Sequence, residues 1–242
     1  MSYLFSIALK NIARQKRRTI LTFLIFSMGI MFYLVMNGIV KGYKIQSIEN
    51  FINFDTGHIK IRSSNYDKED PYNLNNFMYD TTKIKEVLSK KQYIKGYTER
   101  IQFLAEIDNG RDSLPVVVVG IDEKNDPKVF NFTNYIVSGN LENGGAILGN
   151  ALMKDLDVEV GDIIYLTFRN KDGTIDSIEV YVSGVVSTTD PVINGSTVFL
   201  PLTDAKKYLG LSGVSEIAVA TENYKNDRKY ISDLKKEVEG YS

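Results

Sequence analysis

The chain has 242 residues, 29 basic against 30 acidic side chains for a net charge of −1, a single histidine and no cysteine. Thiol catalysis and cysteine-based zinc sites are thereby excluded. The near-neutral total hides an asymmetry: residues 1–18 hold five basic residues and no acid, so the rest carries 24 against 30, a net of −6, which argues against nucleic acid and against lying on anionic lipid.

The lead, SYLFSIALKNIARQKRR, repeats Leu4, Phe5, Ala8, Leu9, Ile12 and Ala13 at three- and four-residue spacing opposite Lys10 and Arg14. It reads as a short amphipathic basic helix over 1–18, suited to the inner membrane face or a cytoplasmic partner, or else as a topogenic tail. Thr19 to Val40 follows without a charge, bounded by Arg18 and Lys41. A hydrocarbon core of about 30 Å needs roughly 20 apolar residues in a helix, so 19–40 is expected to span a membrane once. The positive-inside rule puts Met1 in the cytoplasm and everything after Val40 outside. A cleaved signal sequence would have an apolar region of about 7–15 residues and an A-x-A-like site. This run is longer, and MNGIVKGYKI lacks that site, so the anchor is expected to stay. Asn37 and Gly38 near its outer end suit packing against other helices.

YKIQSIENFINF keeps helical spacing through Ile45, Ile48 and Ile52, which predicts a helical stalk over 41–56. GHIKIRS (57–63) alternates as a half-buried strand does, and 63–80 is polar and turn-rich. A helix is expected over 81–90, capped at Asp80 or Thr81. Strands are expected at 93–107 and 114–122, the second buried on both faces. A Gly/Asn-rich stretch (138–145) leads to a short helix at 151–156. Residues 163–186 read as two strands joined through Asp172-Gly173, a hairpin pattern. A strand at 197–202, a helix at 203–209, a strand at 216–221 and a helix at 226–240 complete an α+β reading. The expected contact loops are 63–79, 122–145 and 187–196, the last with Asp190, Pro191 and Asn194.

No motif supplies a catalytic, metal or cofactor centre. Gly144 to Gly149 has the spacing of a phosphate loop, but Asn150 and Ala151 stand where Lys and Ser/Thr must contact phosphate and Mg²⁺, so a tight turn into a helix is expected. Asp155, Asp157 and Glu159 hint at a calcium loop, yet Gly161 falls one place late and the residues between are apolar. Ser232 and Lys235 satisfy S-x-x-K without the companion S-D-N and K-T-G elements. His58 has no second imidazole to share a metal, and a lone histidine on an alternating strand is expected to be structural. Asn131-Phe-Thr133 and Asn194-Gly-Ser196 match the glycosylation pattern, which matters only in a eukaryotic secretory pathway.

The order of segments carries a resemblance. NIARQKRRTILT and one anchor are followed by TGHIKI directly after the stalk. GGAILGNALMKDLDVEVGDIIYL, the hairpin, SGVV, GSTVFLPLTDAKKYLGL and VSEIAVAT come later. The whole chain resembles the N-terminal half of permease subunits in the MacB/LolC/LolE (FtsX-like) class of ABC transporters. Gly57-His58-Ile59, Gly149 and Gly161-Asp162 stand at its motif positions, as structural residues. The resemblance implies a periplasmic core domain over 57–242 of two α+β lobes, about 57–105 with 214–242 and about 106–213. It implies a bacterial inner-membrane permease, not an enzyme, that pairs with a second permease subunit and a cytoplasmic ATPase holding the ATP. Closure of the membrane helices would move the outer domains, which handle a substrate already at the outer leaflet or in the periplasm. TGHI points to lipoprotein release, with a carrier or lipoprotein as periplasmic partner. Peptide or antimicrobial efflux is the neighbouring branch, and a singly anchored binding or sensor module is the reading outside the family. Family members carry three more membrane helices, so the chain is expected to be the N-terminal part of a permease, one piece of a split gene, or a decayed copy.

Overall fold

The structure, a computed structural model, describes residues 14–141, 144–223 and 226–238; most of the expected lead helix lies outside the described residues. The chain divides into two compact units, Met1–Glu49 and Asn50–Ser242. Helix α1 (Lys16–Asn50) begins in the first. Its large apolar side chains between Ile20 and Val40 are 43% to 75% exposed, and among the described residues it is the one helix long and apolar enough to cross a membrane. Its polar side chains serve the helix itself: Thr22 Oγ1 donates to the Arg18 carbonyl at 3.0 Å and the Asn37 amide to that of Tyr33 at 3.2 Å. Such i−4 bonds hide polar atoms that hydrocarbon would penalise.

The second unit opens with a π-turn, Phe51–Thr56, ended by Gly57 at φ +60°. A Cβ at that φ would be strained, and it would lie 3.1 Å from Val129 and 3.3 Å from the Val219 carbonyl. Then follow β1 (Ile59–Ile61), α2 (Thr82–Lys90), β2 (Ile94–Asp108), β3 (Ser113–Ile121), β4 (Ile136–Gly139), β5 (Ala146–Gly149) and α3 (Asn150–Asp155). The rest is β6 (Ile163–Arg169), β7 (Ile175–Val186), α4 (Pro191–Ser196), β8 (Thr197–Pro201), α5 (Leu202–Leu209), β9 (Glu216–Thr221) and α6 (Asp227–Val238). Asp80 caps α2 by accepting the Thr82 N–H at 3.0 Å. The β6–β7 turn closes on Asn170, whose carbonyl and side chain take the N–H groups of Gly173, Asp172 and Thr174.

All strands belong to one sheet. Six of them pair in a ring: β2 with β3, β3 with β8, β8 with β5, β5 with β7, β7 with β6, and β6 back to β2. Ring closure removes the free edges these strands would otherwise expose. Alternation then sorts the side chains. Phe103, Ile107, Val116, Val118, Leu148, Leu166, Phe168, Val180 and Val198 share the larger core cluster, while Val119, Ile121, Ile147 and Phe199 fall in a second one. The expected two-sided burial of 114–122 holds from Val118 to Ile121, while Leu114 and Val117 are half-buried and Pro115 is exposed. A bulge in the β5–β7 pairing between Ala146 and Ile147 shifts β7 by one, so Val182 stays in the first cluster and Val186 joins the second.

β9 and β1 extend from the first part of β2, which changes neighbour along its length: Ile94–Arg100 pairs with β9, and Ala105–Asp108 with β6. Buried Glu216 ties this edge down, taking Lys60 and Arg62 each at 3.0 Å and the Gln102 amide at 3.3 Å. Residues 187–196, expected as a loop, contain α4: Asp190 accepts the Val192 N–H at 2.8 Å and Pro191 occupies the first turn.

The only histidine fixes where β1 begins. The His58 N–H donates to the Val219 carbonyl at 3.0 Å, and its Nδ1 accepts the Thr221 N–H at 3.0 Å. Nδ1 also lies 2.7 Å from Thr221 Oγ1, whose hydroxyl donates to Asp227 Oδ1 at 2.9 Å. An N–H aimed at Nδ1 needs a lone pair there, so the geometry takes the neutral ring. Burial holds the His58 pKa below its usual 6.5, with Asp227 opposing and Lys95 adding to the effect.

Two predictions follow from this packing. The unfolded chain takes up a proton at His58 before the folded one, so stability is full above the usual histidine value and falls as the pH drops through the folded one. Thermal melts between about pH 7.5 and 5.5 should show this fall, and His58→Asn, with an amide oxygen near the Nδ1 position, should flatten it. Asp227, raised by burial, contributes with the opposite sign at lower pH. At Gly149 an added Cβ would lie 2.2 Å from the Ile193 carbonyl oxygen and 2.3 Å from that of Asn194. Gly149→Ala should therefore cost about 1–3 kcal/mol, read as a lower urea midpoint with an unchanged slope.

Candidate functional site

The site with the densest buried chemistry is the joint that holds residues 50–57. Arg100 lies on β2, on the face shared by Thr98 and Gln102, and is 1% exposed. Its Nε and Nη2 donate to the two oxygens of Asp126 at 2.7 and 2.8 Å, and Nη1 donates to the Phe54 carbonyl at 2.9 Å. The guanidinium also lies over the Phe130 ring, 3.4 Å from its centroid. Asp126 opens a 3-10 turn, and its backbone is held by the Asp122 carbonyl at 2.7 Å.

Phe54 is buried in the second core cluster and meets Tyr135 edge-on, with ring centroids 5.0 Å apart. Asn131 binds Asn53 twice, N–H to carbonyl at 3.3 Å and amide to amide at 3.2 Å. Thr189 Oγ1 donates to Asn50 Oδ1 at 2.8 Å. The last turn of a helix leaves carbonyls unpaired. Here a sheet arginine, itself neutralised by a bidentate carboxylate, supplies the donor for one of them. Both charges are almost wholly out of water, where removing one partner of such a pair costs about 3–5 kcal/mol.

The motif residues divide between this joint and two turns. Gly57 ends the π-turn, His58 binds β9, and Ile59 enters the main core from β1. Gly149 lies against the α4 carbonyls of Ile193 and Asn194, which leave no space for a side chain there. Gly161, at φ +104°, and Asp162 form the turn into β6: Gly161 N–H donates to the Val182 carbonyl at 2.8 Å, and Asp162 Oδ2 accepts the Glu159 N–H at 2.8 Å. They lead into the barrel strand β6, which pairs with β2 and β7, whereas Gly57 to Ile59 lead into β1, the terminal strand beside β9.

Asp190 and Asn194 spend their side chains inside residues 187–196, Asp190 as the α4 cap and Asn194 on the Thr188 backbone at 2.8 and 2.7 Å. Their neighbour Thr189 reaches Asn50, so this segment stands beside the joint. Residues 122–141 supply Asp126, Phe130 and Tyr135 to the joint. Loop 63–79 is pinned through buried Asn76 to the Asp67 N–H and the Asp70 carbonyl, and with residues 169–173 it borders a cleft of about 440 Å³.

Ser232 and Lys235 are exposed on α6; Asp233 between them takes Lys91 at 2.9 Å and the Tyr93 hydroxyl at 2.8 Å. Among the described residues no three His, Cys, Asp or Glu side chains stand close enough to hold a metal. Arg100 and Asp126 escaped the sequence reading. On a strand alternating polar with apolar residues, an arginine at a polar position reads as solvent-facing. No local pattern announces the 3-10 turn that covers it.

Comparison with known proteins gives the following. The family model of the MacB-like periplasmic core domain matches residues 19–236. The lipoprotein-releasing system transmembrane protein LolE of Haemophilus influenzae is 28% identical over 131 residues, which is 50% of this chain and 31% of that protein. Among solved structures, the periplasmic region of MacB from Actinobacillus actinomycetemcomitans aligns with a TM-score of 0.48 at 17% identity, covering 75% of this chain and 83% of that one. The extracellular domain of the ABC-type transporter YknZ from Gram-positive bacteria aligns with a TM-score of 0.47 at 14% identity, covering 69% and 93%. Because the family match runs without interruption from the apolar helix to the last described one, the chain belongs to the family of the MacB-like periplasmic core domain.

Proposed function

We propose that this chain supplies the first membrane helix and the outer domain of a permease subunit in a mechanotransmission-type ABC transporter, acting in lipoprotein release from the inner membrane. The carrying observation is the single family match across helix and domain, residues 19–236. The choice of lipoprotein release rests on the likeness to LolE over half of the chain. In this reading Met1 is cytoplasmic, which the five basic residues and no acid before the span support, and residues 57–242 are periplasmic. The nucleotide belongs to a separate ATPase subunit, a second permease completes the membrane part, and a carrier or lipoprotein meets the outer domain. The two lobes of this reading, about 57–105 with 214–242 and about 106–213, would share β2, which pairs with β9 over Ile94–Arg100 and with β6 over Ala105–Asp108. Asp190, Pro191 and Asn194 then lie beside the start of the outer domain, since their neighbour Thr189 binds Asn50.

The native absence of cysteine makes the topology testable. Ser64→Cys lies on an exposed loop and should react with a membrane-impermeant maleimide in cells whose outer membrane alone is permeabilised. Labelling that needs lysis of the inner membrane would reverse the orientation. Affinity purification of the tagged protein from native membranes should bring down an ATP-hydrolysing subunit at near-equal stoichiometry. Purification of the protein with no such subunit would leave an anchored binding module instead.

A further inference from the structure

We propose that Arg100 is the positioning residue that makes residues 50–57 one body with the sheet, so that displacement of the chain at Asn50 is delivered to the outer domain rather than absorbed at Gly57. The inference rests on the transport reading above.

A π-turn is a weak element, with wide i→i+5 bonds, and the glycine after it has no side chain to restrict its rotation. By itself Phe51–Gly57 is a hinge. Arg100 removes that freedom by holding the backbone, through the Phe54 carbonyl at 2.9 Å, rather than a side chain that could swing. Its planar fork is fixed by two bonds to Asp126, which fills both in-plane directions and leaves Nη1 aimed at the stalk. Phe130 closes the face of the guanidinium, and Phe54 is wedged against Tyr135. Asn131–Asn53, from the Asp126 segment, and Thr189–Asn50, from one further segment, tie the same eight residues. Lysine has neither the fork nor the reach to three acceptors, so a like-charged replacement loosens the joint without leaving Asp126 unpaired.

The experiment uses the full-length permease in complex with its ATPase, comparing hydrogen–deuterium exchange of residues 57–238 with and without ATP and vanadate. The variants are Arg100→Lys, Asp126→Asn, and Arg100→Lys with Asn53→Cys and Asn131→Cys. In the wild type, trapping should change exchange in the outer domain. In the first two variants ATP turnover should stay within about twofold while the outer-domain response falls about tenfold or more, and exchange of residues 50–57 rises. In the cysteine variant, oxidation should restore the response and reduction abolish it, because a covalent tie replaces the lock. A response unchanged in both single variants, or one that oxidation fails to restore, overturns the role of Arg100. Variants that unfold outright, judged by melting in the same complex, would make Arg100 a folding residue and also overturn it. A wild-type complex that hydrolyses ATP with no outer-domain response overturns the transport reading, and the inference with it.

Discussion

A guanidinium sealed from water has to be satisfied in every direction, and that requirement organises this domain. Arg100 sits on the strand that also anchors β3, β6 and β9, so whatever satisfies it is referred to the centre of the sheet. Asp126 must come from the 122–131 segment, Phe130 must cover the ring face, and the remaining donor must meet a backbone carbonyl. The stalk end provides that carbonyl. Three segments far apart in sequence are thus brought to one point by the cost of leaving a buried donor unmet.

The sheet around this point is arranged to be unyielding. Strands that close into a ring cannot slide past one another without breaking pairings all the way round, and the interior is filled by interdigitated aliphatic and aromatic side chains. The second core cluster is smaller and lies outside the ring, where Phe54, Phe130, Phe132 and Ile193 cover β3, β5 and β8. Its covering residues come from turns and short helices rather than long elements.

Much of the element order was legible in the sequence because period-two and period-3.6 patterns are local. β2, β3, the β6–β7 hairpin, α2 and α6 all declare themselves within about a dozen residues. Ring closure does not, since β3–β8 and β5–β7 join strands separated by long stretches of chain and leave no trace in either one. Helix α4 was hidden by composition: Asp-Pro and Asn-Gly-Ser read as loop, although Asp190 and Pro191 are a proper helix start. The glycines of the motif were legible as turns but not for what they touch, and Gly149 is a close approach of two backbones. Arg100 and Asp126 were illegible for a different reason. A salt bridge between a strand and a 3-10 turn is a fact about three-dimensional neighbours, and each residue alone looks like ordinary polar surface.

The π-turn over Phe51–Thr56 has a geometric meaning of its own. It holds one residue more per turn than an α-helix, and each residue of an α-helix advances the chain by about 100°. Between Asn50 and Gly57 the chain length therefore acts as an angular gauge. The Arg100 grip on Phe54 sets the reading at one end, and Thr189 on Asn50 sets it at the other. A single-residue deletion between them would leave every contact type available and yet turn Asn50 by about 100° relative to Phe54, away from Thr189. Length in this short segment is therefore constrained together with the identities of Phe54 and Gly57.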